Sequence, residues 1–352
     1  MELRYKFLGR SGLKVSEACL GTMTFGEEWG FGASKDECAK MFNAFTEAGG
    51  NFIDTANLYT NGTSERIVGE LVKPERDRFV VATKYTLAQR SGDPNSAGNH
   101  RKSLVTALEA SLRRLDTDYI DLYWVHAGDL CTPLDEVMRG LDDVVRAGKV
   151  LYIGISDMPA WQVAAANTMA ELRGWSRCVA LQVHYSLTER AVERELIPMA
   201  RAFDLAVTPW GILGGGVLTN KYRKPDPAGP VAAEDSKRVT SNASRSTERH
   251  LAAGELVARI GCELGRSAAQ VAIAWLRQRP AVTVLPILGA RTVGQLSDNL
   301  AAFDLVLSAE QLAALDEATK IELGFPHDFV RAESIKKHVF SDAWPRIDFP
   351  RW

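Results

Sequence analysis

A chain of 352 residues with a net charge of −2 offers no clustered positive field, which excludes nucleic acid or an anionic membrane as the obvious partner. Its five cysteines, Cys19, Cys38, Cys131, Cys178 and Cys262, are odd in number and form no C-x-x-C pair, which argues against a disulfide framework or a cysteine zinc site and fits a cytoplasmic setting. No apolar stretch approaches the ~20 residues that span a bilayer, and the charged start lacks a secretory core, so a soluble, unprocessed protein is expected.

In chain order, the segment 5–16 alternates apolar and polar residues around Gly9-Arg10-Ser11-Gly12, the pattern of a short hairpin. This hairpin, within 1–16, is expected to plug the bottom of a barrel. Runs rich in β-branched and aromatic residues then predict strands at 17–21, 51–54, 79–84, 119–126, 150–155, 179–184, 205–210 and 282–287. Between them, apolar residues recur every three or four positions at 35–48, 102–115, 134–147, 191–202 and 251–279, which predicts helices. Ala48-Gly49-Gly50 and Ala147-Gly148-Lys149 supply helix stops, and Ser308-Ala309-Glu310-Gln311 reads as an N-cap with its capping partner three residues on. Strand and helix alternating eight times predict an α/β fold, a (β/α)8 TIM barrel, with 1–352 as one domain.

Two stretches break this rhythm. Residues 222–250 are dense in Pro, Gly, Ser and charge and are expected to form a lid. The tail, 324–352, carries Phe325, Phe329, Phe340, Trp344, Phe349 and Trp352 without periodicity; it either walls a pocket or packs on the barrel flank or a partner subunit.

Asp54, Tyr59, Lys84 and His126 stand just past the ends of the second, third and fourth apolar runs. In a parallel barrel such ends converge on one mouth, so these four form the candidate catalytic group. A neighbouring ammonium stabilises a phenolate, so Lys84 is expected to lower the pKa of Tyr59; Asp54 would keep Lys84 charged, and His126 would hydrogen-bond a substrate oxygen or relay a proton. Singly, each has a plain structural explanation: a helix cap, a loop aromatic, a strand-end cation, a satisfied core histidine. Three successive strand ends carrying them together favour function.

These residues resemble the aldo-keto reductase family, whose tetrad is Asp, Tyr, Lys and His in that order. The resemblance extends over Leu20-Gly21-Thr22-Met23-Thr24-Phe25-Gly26, Asn51-Phe52-Ile53-Asp54-Thr55-Ala56 with Ser64-Glu65, Asp121-Leu122-Tyr123-Trp124-Val125-His126 and Gly154-Ile155-Ser156-Asp157. It continues through Gln182, Pro209-Trp210-Gly211-Ile212-Leu213-Gly214-Gly215-Gly216, and Gly289-Ala290-Arg291 with Gln295 and Asn299. It implies NADP(H) lying across the barrel mouth, hydride passing to or from a small-molecule carbonyl or alcohol, and Tyr59 as general acid. It further implies that Ser156, Asp157 and Gln182 grip the nicotinamide carboxamide while Trp210 stacks on the ring. Gly21, Thr22, Met23 and Asp54, the turn through Gly211, Ile212, Leu213, Gly214, Gly216, Leu218 and Lys221, and Leu288, Gly289, Ala290, Arg291, Gln295 and Asn299 would complete the cofactor site. Substrate would meet Phe25, Trp29, Tyr59, Tyr85, Trp124 and His126.

Asp157, where many relatives have Asn, can accept from the amide but not donate to its oxygen. With the Pro-Trp-Gly run it makes the chain similar to the aryl-alcohol dehydrogenase branch. Tyr59-Thr60 departs from the tyrosine-glycine pair common in relatives. Arg291, before a helix starting near Thr292, would fork onto the adenosine 2'-phosphate with help from the helix N-terminus, so NADP is preferred over NAD. No G-x-G-x-x-G follows a strand and the six histidines show no ligand spacing, so neither a Rossmann site nor a metal is expected. Two alternatives stay open: a Schiff-base aldolase using Lys84, and an NADP-binding sensor resembling potassium-channel β subunits.

Overall fold

Alternation along short strands decides what this molecule buries and what it delivers to one end. The computed structural model describes residues 2–219, 247–279 and 282–347. Lys221, residues 222–246 of the expected lid, and Phe349 and Trp352 of the tail lie outside the described residues.

The hairpin pairs β1 (Tyr5–Phe7) antiparallel with β2 (Lys14–Ser16). At its turn Gly9 has φ +53°, and a Cβ there would stand 2.1 Å from the Val179 carbonyl oxygen and 2.8 Å from the Ala206 nitrogen. Those atoms lie where two barrel strands begin, so the hairpin closes the bottom as expected, with Leu8 and Val15 buried in the barrel interior.

Eight strands form the barrel: β3 (Cys19–Gly21), β4 (Phe52–Asp54), β5 (Val80–Tyr85), β6 (Ile120–Val125), β7 (Val150–Ser156), β8 (Cys178–His184), β9 (Ala206–Trp210) and β10 (Ile287–Gly289). All neighbours are parallel in the order β10-β3-β4-β5-β6-β7-β8-β9. The eighth strand differs from the expected 282–287. Val207 of β9 exchanges hydrogen bonds with Thr283 and Leu285, Pro286 has no N–H to offer, and Ile287–Gly289 then pairs with β3. One segment thus serves two neighbours in turn and brings the sheet edges together.

Helices α1 (Lys35–Glu47), α2 (Thr63–Val72), α3 (Arg101–Leu115), α4 (Leu134–Arg146), α5 (Ala160–Arg173), α6 (Leu196–Ala202), α7 (Glu248–Leu264), α8 (Ala268–Arg277), α9 (Val293–Leu300) and α10 (Ala309–Ala318) surround it. The expected helix 251–279 is two: Gly265, at φ +64°, ends α7, and the Ser267 side chain accepts from the Gln270 N–H to start α8. The segment 191–202 likewise splits into a 3-10 turn (Ala191–Glu193) and α6. Residues 247–250, expected in the lid, are the N-cap and first turn of α7. The capping box at Ser308 and Gln311 forms as the sequence implies. In the tail, α11 (His327–Arg331) and α12 (Glu333–Phe340) turn Phe325 and Phe329 outward, stack Phe340 on Trp344, and touch the barrel where His327 meets Glu195.

Successive strand residues face opposite sides, so one parity per strand points inward. The inner cluster holds Phe52, Val80, Ala82, Leu122, Trp124, Ala180 and Ala206, while Ile53, Val81, Tyr85, Tyr123 and Val125 belong to the outer core beneath the helices. Trp124 fills much of the interior: a Cβ on Gly154 of β7 would come within 2.3 Å of its ring, which is why that position carries no side chain.

Candidate active site

Continuing the inward parity one step past the apolar layer gives Asp54 after Phe52, Lys84 after Ala82, His126 after Trp124, and Gln182 after Ala180. The Lys84 ammonium, with its side chain fully buried, lies 2.5 Å from Asp54 Oδ2, 2.7 Å from the Thr55 carbonyl oxygen and 3.2 Å from Tyr59 Oη. Gln182 Nε2 donates to the other Asp54 oxygen at 3.0 Å. Behind them, the Thr22 N–H and hydroxyl both donate to the Asp54 carbonyl, and Ser64 ties Thr22 to Thr55. Every donor of the ammonium is used, and this makes so deep a charge tolerable.

Burial pulls the Lys84 pKa down, but Asp54 and Tyr59 overcome it and leave the amine above its ordinary value. The tyrosine corrects an expectation. Burial pushes the Tyr59 phenol up, against the pull of Lys84 and with Asp54 reinforcing the rise, so its pKa lies above rather than below the usual value. The phenol therefore holds its proton at neutral pH. Burial, followed by the Lys84 charge, pushes the His126 imidazole down to about 3, so it stays neutral at neutral pH. Its Nδ1 is buried without a partner among the described residues.

Tyr59 stands edge-on to two rings, His126 at 6.0 Å and Trp29 at 6.3 Å between centroids. The structure thus brings Asp54, Tyr59, Lys84, His126 and Trp29 together. It does not bring Phe25, Tyr85 or Trp124 to an open wall, since all three are fully buried. Parity explains two of them: Tyr85 faces outward and stacks on Tyr123, and Trp124 lies inward below the strand ends.

The remaining candidates ring the same mouth. Ser156 and Gln182 are register partners on β7 and β8, and Asp157 follows Ser156 at φ +43°. Trp210 is half-buried and donates from Nε1 to Asp157 Oδ1 at 3.1 Å. His184, two residues beyond Gln182 on the same face, stacks on Trp210 at 4.3 Å and covers one face of the indole, a contact the sequence does not signal. A Cβ on Gly211 would strike the His184 ring, and Gly214, Gly215 and Gly216 all take positive φ in the turn beyond. Ile212, Leu218, Leu288, Ala290 and Asn299 are buried, while Met23 is exposed. At the start of α9, the Arg291 N–H donates to Gln295 Oε1, Thr292 caps the helix, and Glu37 of α1 accepts from the Val293 N–H at 2.7 Å. The expected anion-favouring helix end is thus already supplied with a carboxylate.

The model of the aldo/keto reductase family matches residues 17–320. The chain belongs to this family. Among its relatives are norsolorinic acid reductases of Emericella nidulans, 40% identical over 96% of this chain and 86% of theirs, and of Aspergillus flavus, 39% identical over 91% and 82%. An aryl-alcohol dehydrogenase [NADP(+)] of Phanerodontia chrysosporium is 37% identical over 90% and 86%. This aldo/keto reductase is an oxidoreductase of carbonyl and alcohol chemistry on a TIM barrel. Among the described residues, no helix is long and apolar enough to cross a membrane.

Proposed function

We propose that this protein interconverts an aldehyde or ketone and its alcohol with NADP(H), Tyr59 giving the proton in the direction of reduction. The observation that carries the reading is the Lys84 ammonium, held at 2.5 Å by Asp54 and reaching Tyr59 Oη at 3.2 Å. A phenol that remains protonated is a general acid, and the cation beside it stabilises the phenolate left after transfer. His126, neutral, would orient the carbonyl oxygen through Nε2. The same charge state argues against a Schiff-base lysine, because a protonated amine is no nucleophile.

The mouth suits a nicotinamide: a half-buried indole offers a face for stacking, and Ser156, Asp157 and Gln182 supply a polar edge for an amide. Arg291 would pair a 2'-phosphate, in keeping with the NADP(+) in the name of one relative. Such a cofactor, when bound, supplies the hydride. The edge-on pairing of Trp29 with Tyr59 favours a flat, ring-bearing substrate, the class named in the aryl-alcohol dehydrogenases.

The test is turnover. Purified protein should consume NADPH with aryl aldehydes, and Tyr59→Phe should lower kcat by ~10²–10⁴ at unchanged NADPH affinity. Unchanged turnover in Tyr59→Phe would sink the assignment, and tight NADPH binding without consumption over a broad carbonyl panel would favour a sensor.

A further inference from the structure

The residue after Tyr59 adopts a backbone that its own side chain disfavours. Thr60 has φ +44° and ψ +44°, followed by Asn61 at φ +56° and Gly62 at φ +89°. A β-branched residue in the left-handed region is an outlier that persists only where its surroundings hold it. Glycine would take this turn freely, but glycine has no hydroxyl, and here the hydroxyl both donates and accepts. Thr60 is buried, and its Oγ1 donates to the Phe25 carbonyl at 2.7 Å while accepting from the Ser64 N–H at 3.0 Å.

Those two partners belong to the segments flanking the phenol. Phe25 opens the loop that carries Trp29, and Ser64 lies in the first turn of α2 and is bonded to Thr22. Gly26 lets the loop approach, since a Cβ there would stand 3.1 Å from both Thr60 Cβ and Oγ1. One side chain thus fastens the Trp29 loop and the start of α2 to the residue beside Tyr59.

We propose that Thr60 is a positioning residue: its hydroxyl tether holds Tyr59 Oη at Lys84 and sets Trp29 against the phenol. This rests on the reading of Tyr59 as proton donor. A glycine at 60 relieves the backbone and removes the tether, so stability and activity should part company.

The experiment uses the full chain with NADP(H) and an aryl aldehyde and alcohol pair, comparing Thr60→Gly, Thr60→Ser, Thr60→Val and Tyr59→Phe. Thr60→Gly should keep its melting temperature and its NADPH affinity yet lose ~10- to 100-fold in kcat, the scale of a small misplacement of a reacting group. Its rate of alcohol oxidation should also rise only at more alkaline pH than in the parent, because a phenol withdrawn from Lys84 keeps its proton longer. Thr60→Ser, which keeps the hydroxyl, should restore both. Thr60→Gly with the parent's kcat and pH profile overturns the proposal, as does Thr60→Ser failing as badly as Thr60→Gly. Should Thr60→Gly melt lower, Thr60→Val decides: a lost kcat with the alkaline shift supports the tether, and parental values refute it. Parental turnover in Tyr59→Phe would instead count against the proton-donor reading itself.

Discussion

Replacing Asp54 by Asn keeps the shape of the side chain and withdraws the charge from a site where nothing else can stand in for it. The Lys84 side chain is fully buried and Asp54 nearly so. A charge pair 2.5 Å apart interacts by about 7 kcal/mol at an effective dielectric of ~20. That is several times the ~1.4 kcal/mol represented by one pH unit, so in Asp54→Asn the amine should shed its proton inside the folded protein at neutral pH. Breaking a buried pair by removing one partner costs about 3–5 kcal/mol. The sign of the pH dependence then separates parent from variant. In the parent, the folded Lys84 pKa is raised, so its contribution is complete below the unfolded value of ~10.4 and is lost only above it. In the variant, the folded pKa is depressed, so stability is incomplete at neutral pH and grows as pH rises towards that unfolded value. Urea unfolding at unchanged m, run from about pH 6 to about pH 9, should show a gap that narrows by up to ~1.4 kcal/mol per pH unit. A gap below ~1 kcal/mol at about pH 6, or one constant with pH, would refute the reasoning.

Two further outcomes follow from the same mouth. Arg291→Ala should weaken NADPH by ~10- to 100-fold and NADH little, the worth of a charge-assisted contact to one phosphate; equal weakening of both would show that Arg291 does not read it. Because the Tyr59 phenol is raised, kcat/KM for carbonyl reduction should stay level across neutral pH, whereas alcohol oxidation, which needs the phenolate, should climb with pH; an oxidation rate flat from about pH 6 to about pH 9 would exclude Tyr59 as its base.

Most of the barrel was legible because eight runs of β-branched residues separated by helical periods admit few other folds. The eighth run, 282–287, pairs with β9 through Thr283 and Leu285, but the regular strand begins only at Ile287, because an apolar run shows where a strand can form, not which neighbour each residue will bond; Pro286 decides that by missing a donor. Residues 251–279 read as one helix because the apolar period continues across Gly265 and only the left-handed conformation of that glycine ends the first half. In the site, Asp54, Tyr59, Lys84 and His126 could be named from strand ends alone. Tyr85 is one residue beyond inward-facing Lys84, so a strict count of two turns it outward, away from the substrate wall that its aromatic character suggests. The direction of the Tyr59 shift was out of reach, since it depends on how far burial outweighs one cation, and burial is a property of the whole packed mouth.

The backbone outliers show where the fold accepts strain. Asp116 and Asp204, at φ +50° and +53°, follow helices and so lie towards the strand starts, in a conformation that Asp tolerates. The β-branched outliers among the described residues are Thr60 at φ +44° and Thr86 at φ +102°, and both follow strand ends at the mouth. Each is held by its own hydroxyl: that of Thr86 donates to Asn99 Oδ1 at 2.6 Å and accepts from the His126 N–H at 3.3 Å. One threonine therefore adjoins Tyr59 and the other bonds the backbone of His126, whose ring faces that of Tyr59. The rings of Tyr59 and His126 meet edge-on at 6.0 Å, so both threonine turns border one contact at the mouth, above an apolar lower barrel plugged by the hairpin.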